Sequence, residues 1–143
     1  MMILGEYFHQ IDQKGRMRIP PKLKSALGEN ITITKGTGGC LFLFDQRTLE
    51  DKVLSRVDAV PMSDGASAKP LRILFSSAQE LEEDAQGRTL LPRNLREFAN
   101  IQKDIVFIGV GSRAEIWSRE AYDKYMDEAD FDTAMEELKR HGV

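Results

Sequence analysis

Asp12-Gln13-Lys14-Gly15-Arg16 decides how the chain is read, because it recurs 72 positions later as Asp84-Ala85-Gln86-Gly87-Arg88. Asp at the first position and Gly at the fourth are the residues of a type I β-turn. The carboxylate accepts hydrogen bonds from backbone further round the turn, and Gly tolerates the φ > 0 that follows. Arg then opens the returning strand. Each copy reads as the tip of a tight hairpin with a cation just past it. One such pentapeptide is a weak signal, and two with matching surroundings are a strong one.

The surroundings do match at that offset. Ile19-Pro20 answers to Leu91-Pro92, Leu23 to Leu95, Leu27 to Ala99, Ile33 to Ile105 and Gly39 to Gly111. One extra residue then enters, and Leu43-Phe44 answers to Ile116-Trp117. A period of about seventy residues is too long for a solenoid unit, so the pattern is a duplicated small domain.

Within each copy the local signals agree. Arg16-Met17-Arg18-Ile19 alternates as a strand, with both arginines on one face. Pro20-Pro21 then suits the first turn of a helix that Gly28 closes, with Leu23, Ala26 and Leu27 as its inward stripe. Ile31–Thr34 and Cys40–Phe44 read as strands around a glycine-rich turn. No Lys-Ser/Thr closes a P-loop pattern there and a strand follows, so the turn is no phosphate cradle. Asp45 caps a helix running to about Val60, residues 61–68 form a loop, and residues 71–75 belong to a second connecting helix. The second post-hairpin helix carries Leu95, Phe98 and Ala99 inward and ends at Asn100. Trp117 is expected in the core. Ser118 starts a last helix, and beyond Asp127 the charge density predicts a solvated, frayed tail.

The net charge of −3 alone argues against nucleic acid, but its distribution argues for it. Residues 13–28 hold five cations (Lys14, Arg16, Arg18, Lys22, Lys24) and no acid, whereas residues 120–137 hold eight acids against one base. A basic end and an acidic end orient a polyanion. The copies are also unequal, since Lys14 corresponds to Gln86, Arg18 to Leu90 and Lys22 to Asn94, while Arg16 keeps its counterpart Arg88. Asp12, Gly15, Asp84, Gly87 and Arg88 are therefore read as turn residues, with an ion pair across each hairpin. Lys14, Arg16, Arg18, Lys22 and Lys24 are read as the nucleic-acid-binding set.

Tandem D-x-x-G-R hairpins, each followed by an [IL]-P step and a short helix, resemble the MraZ family of bacterial transcriptional regulators. Each copy is similar to an AbrB-type (SpoVT-AbrB, swapped-hairpin) domain, and the resemblance spans roughly Gly5 to Arg119. It implies an α+β fold in which two tandem hairpin domains form a pseudo-two-fold, β-barrel-like core with short flanking helices. The corresponding division is 5–47 for the first domain, 48–75 for a helical connection, 76–119 for the second domain and 120–143 for an acidic helix or tail. The resemblance further implies double-stranded DNA as partner, with Arg16 as the expected contact. It implies G-rich direct repeats ahead of the chain's own cell-division and cell-wall operon as target, and a ring-like homo-oligomer. An Arg fork on guanine agrees with that chemistry.

Other functions are disfavoured. His9 and His141 lie at opposite ends, no Cys–His spacing suggests zinc, and Glu82-Glu83-Asp84 alternate in direction, so neither an enzyme nor a cofactor is expected. Cys40, the single cysteine, reads as a small buried hydrophobe. No apolar run suggests a membrane span and no secretory signal opens the chain, so a cytoplasmic, nucleoid-associated protein is expected. An RNA-binding or oligomeric protein-interaction module using the same hairpin is the alternative, although no aromatic-rich strand is available for stacking bases.

Overall fold

The computed structural model describes residues 2–143. The first copy runs through β1 (Glu6–Gln10), β2 (Arg16–Met17), α1 (Pro21–Leu27), β3 (Ile31–Lys35) and β4 (Leu41–Asp45). Gln46–Thr48 (α2), a wider-wound segment Leu49–Leu54 and Ser55–Asp58 (α3) follow as one helical arm, and then α4 (Gly65–Ser77). The second copy repeats the order with β5 (Gln79–Leu81), β6 (Thr89–Leu90), α5 (Arg93–Phe98), β7 (Asp104–Gly109) and β8 (Ala114–Ser118). Helices α6 (Arg119–Met126) and α7 (Phe131–Lys139) complete the chain.

The strands form one six-stranded antiparallel sheet, ordered β1-β7-β8-β4-β3-β5, and a separate β2–β6 ribbon. The first strand of each copy thus leaves its own copy. β1 pairs with β7 from Glu6↔Ile108 to Gln10↔Asp104, and β5 pairs with β3 from Ile31↔Leu81 to Ile33↔Gln79. Exchanging every element with its repeat counterpart reads the strand order backwards onto itself, which is a pseudo-two-fold. Its axis passes through the facing pairs Phe42↔Glu115 and Met17↔Thr89, each made of repeat-equivalent residues.

The barrel-like core expected from the family resemblance takes a different form. The sheet is open, because its edges β1 and β5 pair with β7 and β3 and not with each other. β2 and β6 are two residues each and pair together, capping one face of the sheet and joined to its β5 side by the isolated Glu83↔Thr89 bridge. Between that cap and the sheet lies the main core, in which Met17, Leu23, Ile33, Leu41, Leu43, Leu91, Leu95, Phe107 and Ile116 are buried. Each large side chain so enclosed stabilises the fold by about 1.5–3 kcal/mol. α1 begins with Pro21 at a position that needs no N–H donor, buries Leu23 and Leu27, and ends at Gly28 with φ 81°.

On the opposite face, Cys40, Val106, Trp117 and Tyr122 form a second cluster under α6. Alternation along β7 and β8 splits the two cores, with Ile105, Phe107 and Ile116 on one side and Val106 and Trp117 on the other. The acidic C-terminal helices therefore begin behind the sheet, away from the hairpin cap.

Several expectations change. Phe98 faces outward at the end of the six-residue α5, where only Leu95 and Ala99 share the inner side, and the Lys35 ammonium sits 5.0 Å from its ring centroid. α4 starts at Gly65, so the preceding loop is shorter than composition suggested; Asp64 caps it and Pro70 lies within it. The tail after Asp127 is not frayed throughout. Asp130 accepts from the Thr133 N–H at 2.7 Å and starts α7. Caps expected at Asp45 and Ser118 are present, accepting from Thr48 at 2.8 Å and Ala121 at 3.1 Å.

Candidate nucleic-acid interface

The two hairpin tips have the same internal geometry. In the first, the Gly15 N–H donates to the Asp12 carbonyl at 3.0 Å and the Asp12 N–H to the Arg16 carbonyl at 2.9 Å. The Asp12 carboxylate accepts from the Lys14 N–H (2.9 Å), the Arg16 N–H (2.8 Å) and the Arg16 Nε (2.8 Å). In the second, Asp84 accepts from Gln86 (2.9 Å), the Arg88 N–H (2.9 Å) and the Arg88 Nε (3.1 Å). Gly15 and Gly87 both take positive φ, 85° and 77°. Backbone N–H donors, Arg16 and Arg88 foremost, hold both carboxyls below the usual range.

Each arginine thereby spends its Nε on its own turn. Among the described residues the Nη1–Nη2 edge of Arg16 makes no hydrogen bond, and that edge can fork onto two acceptors. Lys14 and Lys22 are exposed, and among the described residues neither makes an ion pair.

The remaining members of the set do not gather at the first tip. Arg18 reaches across the copies, its Nη1 donating to the Gln86 carbonyl of the second tip at 2.6 Å. Lys24 on α1 pairs with Glu83, just before the second turn. The five cations grouped by sequence are therefore divided: Lys14 and Arg16 at the first tip, Lys22 on α1, and Arg18 and Lys24 beside the second. A structural duty for Arg18 was invisible in the sequence because it depends on the swap that brings Gln86 beside β2.

One neighbour of the first tip was missed. Arg96 of α5 donates from Nε to the Leu91 carbonyl at 3.0 Å and lies against Gly15. The signal was available, since the same offset pairs Lys24 with Arg96 as a retained cation.

Behind the sheet the polar groups are structural. Glu115, buried at the pseudo-two-fold axis, pairs with Arg113 at 2.8 Å and accepts the Trp117 indole N–H at 3.1 Å. Burial pushes the Cys40 thiol up to about 12. The Tyr122 hydroxyl, pushed up to about 12 by burial and then by Glu6, donates to that carboxylate. Among the described residues no group of three His, Cys, Asp or Glu side chains converges as a metal site requires. No helix among them is long and apolar enough to cross a membrane.

A family model for the MraZ protein matches the chain twice, at residues 2–69 and 74–141, with the displacement that separates the hairpins. The second match takes in the acidic C-terminal helices. The chain is 43% identical over 146 residues to a protein of Clostridium beijerinckii named transcriptional regulator MraZ, covering 99% of this chain and all of that one. Identity is 48% over 126 residues with the protein of that name from Symbiobacterium thermophilum, covering 88% of this chain and 91% of the relative. With the one from Heliobacterium modesticaldum it is 45% over 131 residues, covering 90% and 89%. Duplicated hairpins, the strand swap and near-complete matches converge on one assignment: the chain belongs to the MraZ family.

Proposed function

We propose that the protein is a sequence-specific DNA-binding transcriptional regulator that presents its first hairpin tip to the major groove. The observation that carries this is the state of Arg16. Its Nε is fixed by Asp12, and among the described residues its outer edge has no partner and the exposed Lys14 beside it makes no ion pair. A held guanidinium loses little freedom on docking and matches O6 and N7 of guanine. Lys14 and Lys22 supply phosphate contacts, while Arg18 and Lys24 are spent on bracing the second tip. The target, as for the family, is a set of G-rich direct repeats ahead of the chain's own cell-division and cell-wall operon, and the protein works in the cytoplasm at the nucleoid.

One tip offers few cations, too few for tight specific binding at physiological salt, so several subunits act together. A ring-like homo-oligomer supplies them in one rotational sense, which suits direct repeats better than an isolated two-fold dimer does. The helical arm supports self-association. No residue of Gln46–Asp58 is buried, yet Leu49, Val53 and Val57 fall on one side of it.

Selection of bound duplexes from a random pool tests the proposal. Recovered sequences should share a short G-rich element in tandem, and duplex should outcompete single-stranded RNA and heparin. Enrichment of nothing, or preference for RNA, would replace DNA with another partner.

A further inference from the structure

We propose that Arg96, a residue of the second copy, is a DNA-facing cation of the first hairpin tip and also fixes that tip in place. The proposal rests on the first tip being the DNA contact. Arg96 is half-buried on α5, and its guanidinium occupies the space that a side chain at position 15 would need. A Cβ on Gly15 would stand 2.7 Å from the Arg96 Cζ and 2.8 Å from its Nε. The adjoining backbone is tied to the same place, since the Leu91 N–H donates to the Gly15 carbonyl at 2.8 Å and the Leu91 carbonyl accepts from Arg96 at 3.0 Å. The tip that carries Lys14 and Arg16 is therefore seated on the other copy.

Charge separates Arg96 from its repeat counterpart. Lys24 is neutralised by Glu83, whereas Glu83 answers to Ile11, which is apolar and buried. Among the described residues Arg96 has no carboxylate partner. Lys14, Arg16 and Arg96 thus surround the first tip with Asp12 as the acid of the turn. The second tip has Arg88, Arg18 and Lys24 against Asp84 and Glu83, and Gln86 where the first has Lys14. With Nε spent on Leu91 and Nη1 packed against Gly15, Nη2 of Arg96 makes no hydrogen bond among the described residues and is left for a phosphate oxygen beside the one that Lys14 reaches. The weakly charged copy contributes to DNA binding through its helix, not through its own hairpin.

The test titrates the full-length protein with a fluorescein-labelled mixed-sequence duplex between about 50 and 200 mM salt, reading the slope of log K against log salt. Arg96→Gln should lower the slope by about 0.9 for each engaged subunit, and Arg96→Lys should keep it. Arg93→Gln, on the same helix but with its side chain paired to Glu97 at 2.9 Å, should leave it unchanged. If Lys14→Gln lowers the slope and Arg96→Gln does not, Arg96 only packs and the proposal is overturned. An equal drop in Arg93→Gln overturns it too, because the helix's general charge would then be responsible. A wild-type protein that binds no duplex at the lowest salt overturns both this proposal and the DNA reading. Should Arg96→Gln fail to fold, arginine modification of the wild type by phenylglyoxal, mapped by mass spectrometry, decides. Duplex should protect Arg96, and equal modification with and without it overturns the proposal.

Discussion

Replacing Arg18 by Gln tests the division of the basic set most sharply, because sequence and structure give that residue different work. Its Nη1 donates to the Gln86 carbonyl at 2.6 Å and lies 3.1 Å from where a Cβ on Gly87 would stand. The contact joins β2 of one copy to the turn of the other. Hydrogen bonds to charged groups contribute about 1.5–3 kcal/mol, but this one lies at an exposed tip where water replaces it, so about 1 kcal/mol is expected. For a chain of this size that lowers Tm by about 2–4 °C. The salt slope of DNA binding should hold, because this guanidinium is held at the second tip. Lys14→Gln should do the reverse, with Tm unchanged and the slope lowered by about 0.9 per engaged subunit. Differential scanning fluorimetry and anisotropy titrations on the same preparations read both. An Arg18→Gln protein with unchanged Tm and a slope reduced as in Lys14→Gln would refute the bracing role.

The remaining predictions concern recognition, acid stability and spacing. Arg16→Lys keeps the charge but loses the planar fork, so discrimination should fall by about 1–3 kcal/mol at one base position while nonspecific affinity holds; equal losses on specific and scrambled duplexes would make Arg16 a phosphate contact. Asp12 and Asp84 have depressed pKa values, so their contribution to stability is fully present above about pH 4, the unfolded value, and is lost as pH falls through their folded values. Melting temperature should therefore fall below about pH 4, and less steeply in the D12N/D84N double variant, which an acid titration by circular dichroism will read. Operators with half a helical turn inserted between repeats should lose cooperative binding, and a full turn of about 10 base pairs should partly restore it. Indifference to both inserts in a gel-shift series would mean that subunits bind independently.

Much of the fold was legible because the chain states it twice. The repeated Asp and Gly residues specify both tips, and the shared Pro and Leu positions locate α1 and α5. The strand swap was legible only through family resemblance, since alternation says which face of a strand is buried and nothing about its neighbour. Whether the sheet closes depends on which strand finds β1, a contact between residues about a hundred positions apart. Side-chain destinations at the site were equally hidden. Arg18 and Lys24 look like Lys14 in a charge count, yet the swap delivers one to Gln86 and the other to Glu83. The place of Arg96 is hidden for the same reason, as its position beside Gly15 depends on how the two copies pack. Phe98 reads as core from its apolarity alone, but the six-residue α5 is too short to bury three positions.

The central claim is that two tips with the same geometry do different work, and the Arg16→Ala and Arg88→Ala pair measures it directly. Both substitutions remove the same intraturn bonds, from arginines 31% and 26% exposed to aspartates 39% exposed. Their effects on melting and on subunit assembly should therefore match. Binding to the selected duplex should not, with Arg16→Ala losing about tenfold or more and Arg88→Ala staying near wild type. Equal losses of DNA affinity in the two variants, at equal melting temperature and unchanged size, would contradict the account.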